Sequence, residues 1–477
     1  MSRDASDAMF FRRTSPPGPL SVASPRPLFT RFLEIPLLAE ATLLATAAAL
    51  FLYRLGADAL RDWDEATYAA VAREMLERRD WLSPSLGDVY YPNKPPLLYW
   101  LMAAFDGLFG TGEFSSRFPA ALFGLLGVVG VFLVGRRLHG RQAGLLAALV
   151  LTTAPQWLRF SRQAMLDVPL SASIVFAMLG LIDSSWLLFG VSMGVALLIK
   201  GPAAVVALAA AALFAVFDLR RRAKTVAFGA ALALLIATPW HVHQIVTHGR
   251  AFTDYYFGYS ILERVSRPLQ GHGARHSYYL VRIFTGTANP WHWVGAFALV
   301  AFTGRAIARR FHRSEDLVVL WFWVPLAMFT VARTKLMWYV MPVYPALAIV
   351  TAAWLVELAA ERSWVRGAVA LLAFVTILQS AGSDLIRYGR FEDSEATRTV
   401  LAALPPPDRA PMLQVAMGLP AETARFYAHR PTDWCESPSR CRGWLLVRAD
   451  QVTYFGARPT IAVSGKRALL GPVPEEN

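Results

Sequence analysis

The sequence predicts an α-helical polytopic membrane protein that ends in a small α/β domain. The chain is 55% hydrophobic and 17% charged, whereas soluble chains carry about 25% charged residues. Many separate apolar runs reach bilayer-spanning length without strict alternation, which favours helices over a membrane barrel. No nucleic-acid-binding module is visible, so orientation in a membrane explains the formal net charge of +13 better than nucleic acid does.

The chain divides into parts of different composition. Residues 1–30 are rich in Pro, Ser and Arg and are predicted to form a disordered cytoplasmic tail. Residues 31–382 hold the apolar runs and form a predicted membrane domain of roughly 11–13 transmembrane helices. Residues 383–477 are more polar and contain the strand-like pieces GWLLVRAD and TIAVSG, which predict the small α/β domain.

Basic clusters indicate the topology. If segment 95–110 is an interfacial or re-entrant helix and does not cross, every strong basic cluster falls on the cytoplasmic side, as the positive-inside rule requires. About eleven crossings follow, and the C-terminal domain lies outside the cytoplasm with loops 55–117 and 247–289. The clusters are RRLHGR (136–141), LRRRAK (219–224), RAIARRFHR (305–313) and ERSWVR (361–366).

The chain has two cysteines, Cys435 and Cys441, and both lie in the predicted external domain. Their close spacing fits a small disulfide loop in an oxidising compartment. Two unpaired thiols are the alternative.

Two motifs at the start of the external region carry charge beside aromatic rings. In DWDEATYAAVAREML (62–76), Asp64 and Glu65 precede Tyr68 and open a predicted amphipathic helix along the membrane surface. Simple helix capping is the alternative. In YYPNKPPLLYW (90–100), Lys94 follows Tyr91 and heads an apolar helix, where it can hold a lipid phosphate or merely snorkel.

Further charged residues share the predicted outer face. Asp167 begins a span in SRQAMLDVPL, five residues after Arg162, and it is either a second functional acid or a helix cap. Arg264 lies in the loop 255–280, where arginines suit phosphate recognition. Lys335 and Tyr339 stand at the outer start of another span, where an aromatic-and-lysine belt is the alternative.

Histidines in the loop 255–280 raise the question of a metal. His272 and His276 lack a clear set of partner ligands, so no metal ligands are assigned, and a divalent ion is kept only as an alternative. The paired acids, cations and tyrosines together suit chemistry on a lipid-borne phosphate with a polar acceptor.

The order of these motifs resembles that of the polyprenyl-phosphate-sugar-dependent glycosyltransferases of the GT-C fold. The nearest branch is the aminoarabinose transferase-like one, which is related to the protein O-mannosyltransferases. The resemblance runs over roughly residues 58–360. Its pieces are, in order, DEATYAAVAREML, YYPNKPPLLYW, FSSRFPAALFGLL, SRQAMLDVPL, LLIKGP, YYFGYSILERV and RTKLMWYVMP.

The resemblance implies a GT-C fold, a bacterial inner-membrane location and a role for each matching residue. Asp64 would position or deprotonate the acceptor with support from Glu65 and Tyr68, and Asp167 would be the second external acid. Lys94 with Tyr91 would grip the donor phosphate. Arg264, Tyr339 and Lys335 would neutralise the departing lipid phosphate. Arg162 is a further supporting or acceptor-side residue on the same face.

The resemblance implies a donor class and leaves the acceptor open. Thr67 stands where an arginine is common in the aminoarabinose enzymes, and Asn93 where glutamate often precedes the lysine. The implied partners are a polyprenyl-phosphate-linked sugar, membrane lipids, and an acceptor that is a lipid A-like glycolipid, a glycan or a protein. A protein O-mannosyltransferase is one alternative. A transporter or flippase is another, although transporters carry ionisable residues at mid-membrane, and here the charges lie at span ends.

Overall fold

The computed structural model describes residues 37–87, 89–217, 219–285, 289–384, 392–456 and 458–473. The predicted disordered tail, residues 1–30, lies outside the described residues.

Helices build most of the described chain between residues 37 and 384, which confirms the predicted helical membrane class. Their apolar residues form one large core in which Trp157, Trp291 and Trp321 are fully buried. The α-helices of seven residues or more in this part are α1 Leu38–Leu52, α2 Asp64–Arg78, α3 Leu97–Phe109, α4 Glu113–His139, α5 Arg141–Thr152, α6 Pro155–Ser161, α7 Asp167–Ile182, α8 Trp186–Lys200, α9 Val205–Phe217, α10 Leu219–His248, α11 Tyr278–Thr285, α12 Pro290–Ala308, α13 Asp316–Val331, α14 Val343–Glu361 and α15 Ser363–Gln379. A π-helix, Asp254–Glu263, and a short helical turn, Arg264–Ser266, lie between α10 and α11.

Several of these helices have the length and composition of membrane spans. Within the described residues, five helical stretches are long and apolar enough to cross a bilayer, and shorter apolar helices accompany them. The long stretches are Glu113–His139, Trp186–Phe217, Arg222–His248, Val343–Glu361 and Ser363–Gly382. The predicted number of crossings and the non-crossing role of segment 95–110 stay predictions.

The chain reverses direction within the stretch Trp186–Phe217. Lys200 pairs with Asp167 at the first residue of α7, whereas Arg222 donates to the Ile182 carbonyl at the last residue of α7. A helix of the length of α7 spans about 24 Å at 1.5 Å per residue. The chain therefore runs along α7 as α8, turns after Lys200, and returns as α9.

Helix α2 differs from its predicted place. The sequence predicts an amphipathic helix on the membrane surface, but residues 65–75 are all buried. One side of α2 packs against α3, and the other meets Phe426 and Tyr427 from the C-terminal part of the chain. The prediction was wrong because the apolar stripe of a helix does not reveal which protein segment covers its other faces.

The C-terminal residues form a small α/β domain on a five-stranded sheet of order β4-β3-β5-β7-β6. Strands β4, β3 and β5 are parallel, and β5, β7 and β6 are antiparallel. A disulfide joins Cys435 at the end of β4 to Cys441. The elements, counted after a short hairpin of β1 Ser85–Leu86 and β2 Val89–Tyr90, are α16 Glu392–Leu401, β3 Leu413–Ala416, α17 Ala421–Ala428, β4 Thr432–Cys435, β5 Trp444–Arg448, β6 Thr460–Ser464 and β7 Arg467–Leu470.

Candidate active site

Glu65 ties together the segments that present the two candidate acids. Its carboxylate is buried and accepts from Arg117 Nε at 2.8 Å, from the Arg61 amide at 2.7 Å and from the Ala164 amide at 2.8 Å. Arg117 belongs to α4, and Ala164 lies just before α7. Glu65 is therefore a positioning residue. Its carboxylate oxygens accept hydrogen bonds from groups of the protein and fix α2 against the start of α7.

Asp64 is the first residue of α2 and is partly exposed. Trp63, directly before it, has φ 72° and ψ −123°. A non-glycine residue in such a conformation costs about 1–3 kcal/mol and persists only where the surrounding structure imposes it. Trp63 is also 65% exposed, so packing of its own ring does not explain the conformation. The backbone on both sides of Trp63 must hold it, and Asp64 with it.

Lys94 is the centre of a hydrogen-bonded group on the loop between β2 and α3. Its Nζ donates to Asn93 Oδ1 at 2.9 Å and to the Asn93 carbonyl at 3.1 Å. Asn93 Nδ2 in turn donates to the Tyr91 hydroxyl at 2.7 Å. Burial, followed by the positive charges of Arg264 and Lys200, lowers the pKa of Lys94 to about 7. An anion placed here would relieve that repulsion.

Lys200, Asp167, Tyr339 and Arg264 form a second connected group. The Lys200 ammonium pairs with Asp167 Oδ1 and lies 5.1 Å from the centre of the Tyr339 ring. The Tyr339 hydroxyl accepts from Arg264 Nη1 at 3.0 Å. The two groups are neighbours, because Arg264 and Lys200 lie close enough to Lys94 to act on its charge.

Two atoms of this second group are buried without a hydrogen bond. Asp167 Oδ2 and Arg264 Nε have no partner among the described residues. Buried polar atoms are nearly always paired, so this acceptor and this donor are available to a ligand or to water.

The turn after Lys200 requires glycine. Gly201 has φ +53°, and a side chain there would overlap the Tyr256 hydroxyl and contact Pro95. Gly201 therefore lies beside Pro95, the residue that follows Lys94, and beside buried Tyr256. This contact keeps the two lysine-bearing segments adjacent.

Other predicted residues lie outside the cluster of charges. Lys335 Nζ donates to the carbonyls of Thr330 at 2.6 Å and Ala332 at 2.7 Å, so it caps the end of α13. Arg162 Nη1 donates to the Leu50 carbonyl at 2.8 Å and caps α1.

Tyr68 is buried, with its ring centre 5.9 Å from that of Tyr99. Lys335 and Arg162 therefore support the scaffold around the cluster, whereas Tyr68 lies close enough to Asp64 and Asp167 to feel their charges. Within the described ranges, no group of three His, Cys, Asp or Glu residues could hold a metal ion.

Lys200 is the site residue that sequence reasoning missed. The motif LLIKGP that contains it belongs to the resemblance, but a lysine at a helix end before Gly-Pro is usually an interfacial residue. Its partner Asp167 lies 33 residues earlier, and no local pattern joins the two.

Comparisons with known proteins show the family to which this chain belongs. Residues 93–243 match the dolichyl-phosphate-mannose-protein mannosyltransferase family. The undecaprenyl phosphate-α-4-amino-4-deoxy-L-arabinose arabinosyl transferase of Erwinia tasmaniensis is 30% identical over 381 residues, which cover 75% of this chain and 68% of that protein. The chain belongs to the ArnT-like family of GT-C glycosyltransferases.

Other ArnT-like relatives are longer than the matched region. The transferase of the same name from Pectobacterium carotovorum is 29% identical over 339 residues, which cover 68% of this chain but only 60% of the relative.

The fold also agrees with solved structures. ArnT from Cupriavidus metallidurans bound to undecaprenyl phosphate aligns with a TM-score of 0.76 at 20% identity, over 91% of this chain and 98% of that one. The archaeal oligosaccharyltransferase AglB from Archaeoglobus fulgidus aligns with a TM-score of 0.59 at 14% identity, over 82% of this chain and 64% of that one. These likenesses confirm the GT-C fold.

Proposed function

We propose that this protein transfers a sugar from a polyprenyl-phosphate carrier to a hydroxyl-bearing acceptor outside the cytoplasm. The observation that carries the proposal is the convergence of Lys94, Lys200 and Arg264 beside Asp64 and Asp167. Clustered cations whose charges repel one another need an anion, and a lipid phosphate supplies it at a membrane surface. The arabinosyl transferases that resemble this chain carry undecaprenyl phosphate in their names, which supports the same donor class.

The reaction follows from the roles of the charges. The acceptor oxygen attacks the anomeric carbon, and the bond between that carbon and the phosphate oxygen breaks. The leaving polyprenyl phosphate gains negative charge, which Lys94 and Arg264 stabilise from fixed positions. The acceptor proton passes to Asp64, which is partly exposed and therefore open to the acceptor. Attack from the face opposite the phosphate inverts the anomeric centre.

Asp167 orients the donor in this proposal. Lys200 holds Oδ1, so Oδ2 points in a fixed direction and is buried without a partner among the described residues. A hydroxyl or amino group of the sugar would satisfy it. The pair therefore keeps the anomeric carbon in line between the phosphate and Asp64.

The acceptor would enter through an open groove beside the cluster. Arg250, Asp254, Tyr255 and Tyr259 line it, and it has a volume of about 540 Å³. Tyr255 contacts Tyr91 at a ring-centre distance of 6.5 Å, and Tyr91 accepts the Asn93 hydrogen bond. Through Tyr255, the groove thus neighbours the residues around Lys94. Its mixed aromatic and charged lining suits a glycosylated lipid or glycan acceptor.

A cellular comparison tests the proposal. Lipids, glycans and exported proteins from cells with and without this protein are compared by mass spectrometry. Wild-type protein should add one sugar residue to one acceptor class, and Asp64→Asn should abolish that addition and leave the lipid-linked sugar unused. Asp183→Asn is the control, because Asp183 lies at the far end of α7 and, within the part of the chain that the structure describes, pairs with exposed Arg137. Full sugar addition by Asp64→Asn at equal expression would disprove the assignment of Asp64.

A further inference from the structure

The loop that presents Asp64 is held by the C-terminal domain. The Ala59 amide donates to Glu395 Oε2 at 3.0 Å, and the Leu60 amide donates to the Tyr427 hydroxyl at 2.7 Å. These two hydrogen-bond acceptors, Glu395 and Tyr427, lie more than 330 residues away in the sequence, on α16 and α17. These helices therefore satisfy backbone groups that precede Asp64 by four and five residues.

Asp62, two residues before Asp64, is anchored even more tightly. Its Oδ1 accepts from Thr423 Oγ1 at 2.6 Å and from Ser394 Oγ at 3.0 Å. Its own amide contacts Ser394 Oγ at 3.2 Å, and Arg467 lies 3.9 Å from Oδ2. Thr423 and Ser394 are fully buried, so the two hydroxyls that donate to Asp62 are shielded from solvent.

The same residues of the C-terminal domain also bind the membrane domain, which completes a ring of hydrogen bonds. The Tyr427 hydroxyl donates to Glu113 Oε1 at 3.1 Å, and Arg398 Nη1 reaches the same oxygen at 2.9 Å. Arg398 also pairs with Glu395, which holds the Ala59 amide. Glu113 is the first residue of α4. The ring of hydrogen bonds therefore holds the loop before Asp64 in place, with α4 on one side and the C-terminal domain on the other.

Helix α2 receives a further contact from this domain. Arg73 is buried and donates from Nη1 to the Phe426 carbonyl at 2.7 Å and the Arg425 carbonyl at 3.2 Å, near the end of α17. The Phe426 side chain packs with Ala66 and Ala69 on the first two turns of α2. The contacts thus extend on both sides of Asp64.

We infer that the C-terminal domain is a positioning element of the active site, and that Ser394, Thr423 and Tyr427 are positioning residues for Asp64. Glu65 fixes α2 to the membrane domain, and these three residues fix the preceding backbone to the C-terminal domain. Trp63 lies between the two anchors and keeps its strained φ of 72° because both ends are fixed. This inference rests on the proposed function of Asp64.

The experiment uses the full-length protein in nanodiscs and measures structure and activity separately. Hydrogen exchange is followed for a peptide that covers residues 59–63. Sugar transfer is followed with the lipid-linked sugar of the cells in which the glycosylated product forms. The variant Ser394→Ala with Thr423→Val removes both donors to Asp62 at nearly constant volume. Tyr427→Phe removes one hydroxyl and decides the outcome if the double variant does not fold. Thr423→Ser keeps the hydroxyl, and Arg440→Ala is a control on an exposed side chain of the same domain.

The expected result is at least tenfold faster exchange in residues 59–63 with unchanged exchange in α7. The kcat should fall roughly 10- to 100-fold with a donor KM within about twofold of wild type, because a displaced group costs rate more than binding. Thr423→Ser and Arg440→Ala should behave as wild type. Unchanged exchange, or faster exchange with an unchanged kcat, would overturn the inference. Wild-type protein that transfers no sugar would refute the proposed function instead, since exchange does not depend on turnover.

Discussion

The lowered pKa of Lys94 predicts how donor binding depends on pH. The ammonium lies on the loop between β2 and α3 and donates to Asn93. Burial, followed by the charges of Arg264 and Lys200, lowers the pKa of Lys94 to about 7. A lysine with that value is half protonated at pH 7, about one-tenth protonated at pH 8 and about one-hundredth at pH 9. If only the protonated form binds a phosphate, the apparent affinity falls in proportion to that fraction. Donor binding should therefore weaken about fivefold from pH 7 to 8 and about tenfold from pH 8 to 9.

The lowered pKa of Lys94 also determines how the stability of the free protein changes with pH. The native value lies below the ordinary value of 10.5, so the native state binds fewer protons than the unfolded state between about pH 7 and 10.5. The charged lysine therefore destabilises the free protein fully below pH 7, and the penalty disappears as pH rises through this window. Bound phosphate should remove much of the penalty, because it favours the charged form.

The assay is binding of undecaprenyl phosphate to the protein in nanodiscs from pH 6 to 9. Lys94→Arg is the matched control, because arginine stays charged over the whole range. Ionisation of the phosphate itself affects both proteins equally, so the ratio of their dissociation constants isolates the lysine. A ratio that stays constant between pH 7 and 9 would refute the assignment of Lys94 as a titrating phosphate ligand.

Two further predictions concern Lys200 and the topology. Lys200→Met should lower kcat at least about 100-fold, since it leaves buried Asp167 without its counter-charge. Lys200→Arg keeps the positive charge and should recover part of the rate. A Lys200→Met enzyme with the wild-type kcat would show that Lys200 is not part of the site. In intact spheroplasts, a membrane-impermeant maleimide should label Ser439→Cys at once and His312→Cys only after permeabilisation. The native cysteines do not react with the maleimide because they form a disulfide. The reverse labelling pattern would overturn the predicted sidedness.

Much of the site could be predicted because its residues lie in motifs with unusual local chemistry. Asp64, Lys94 and Asp167 stand beside apolar runs where charge needs an explanation, and Arg264 and Tyr339 lie in segments rich in aromatic residues. The structure brings Arg264 and Tyr339 into direct contact and pairs Asp167 with an ammonium. The sequence could not separate these residues from Lys335, because a lysine that caps a helix and a lysine that meets a substrate look alike in a local pattern.

The sequence by itself determined the membrane class, the helical character, the polar C-terminal domain and the identity of most charged residues in the cluster. These features depend on composition and short-range periodicity, which follow directly from the residues. Only the tertiary structure decided that Lys200 pairs with Asp167, that Glu65 joins α2 to α4, and that the C-terminal domain covers α2. Those contacts join segments far apart in the chain. A local pattern shows that a charge or an apolar face needs a partner, but the packing of distant elements decides which partner it meets.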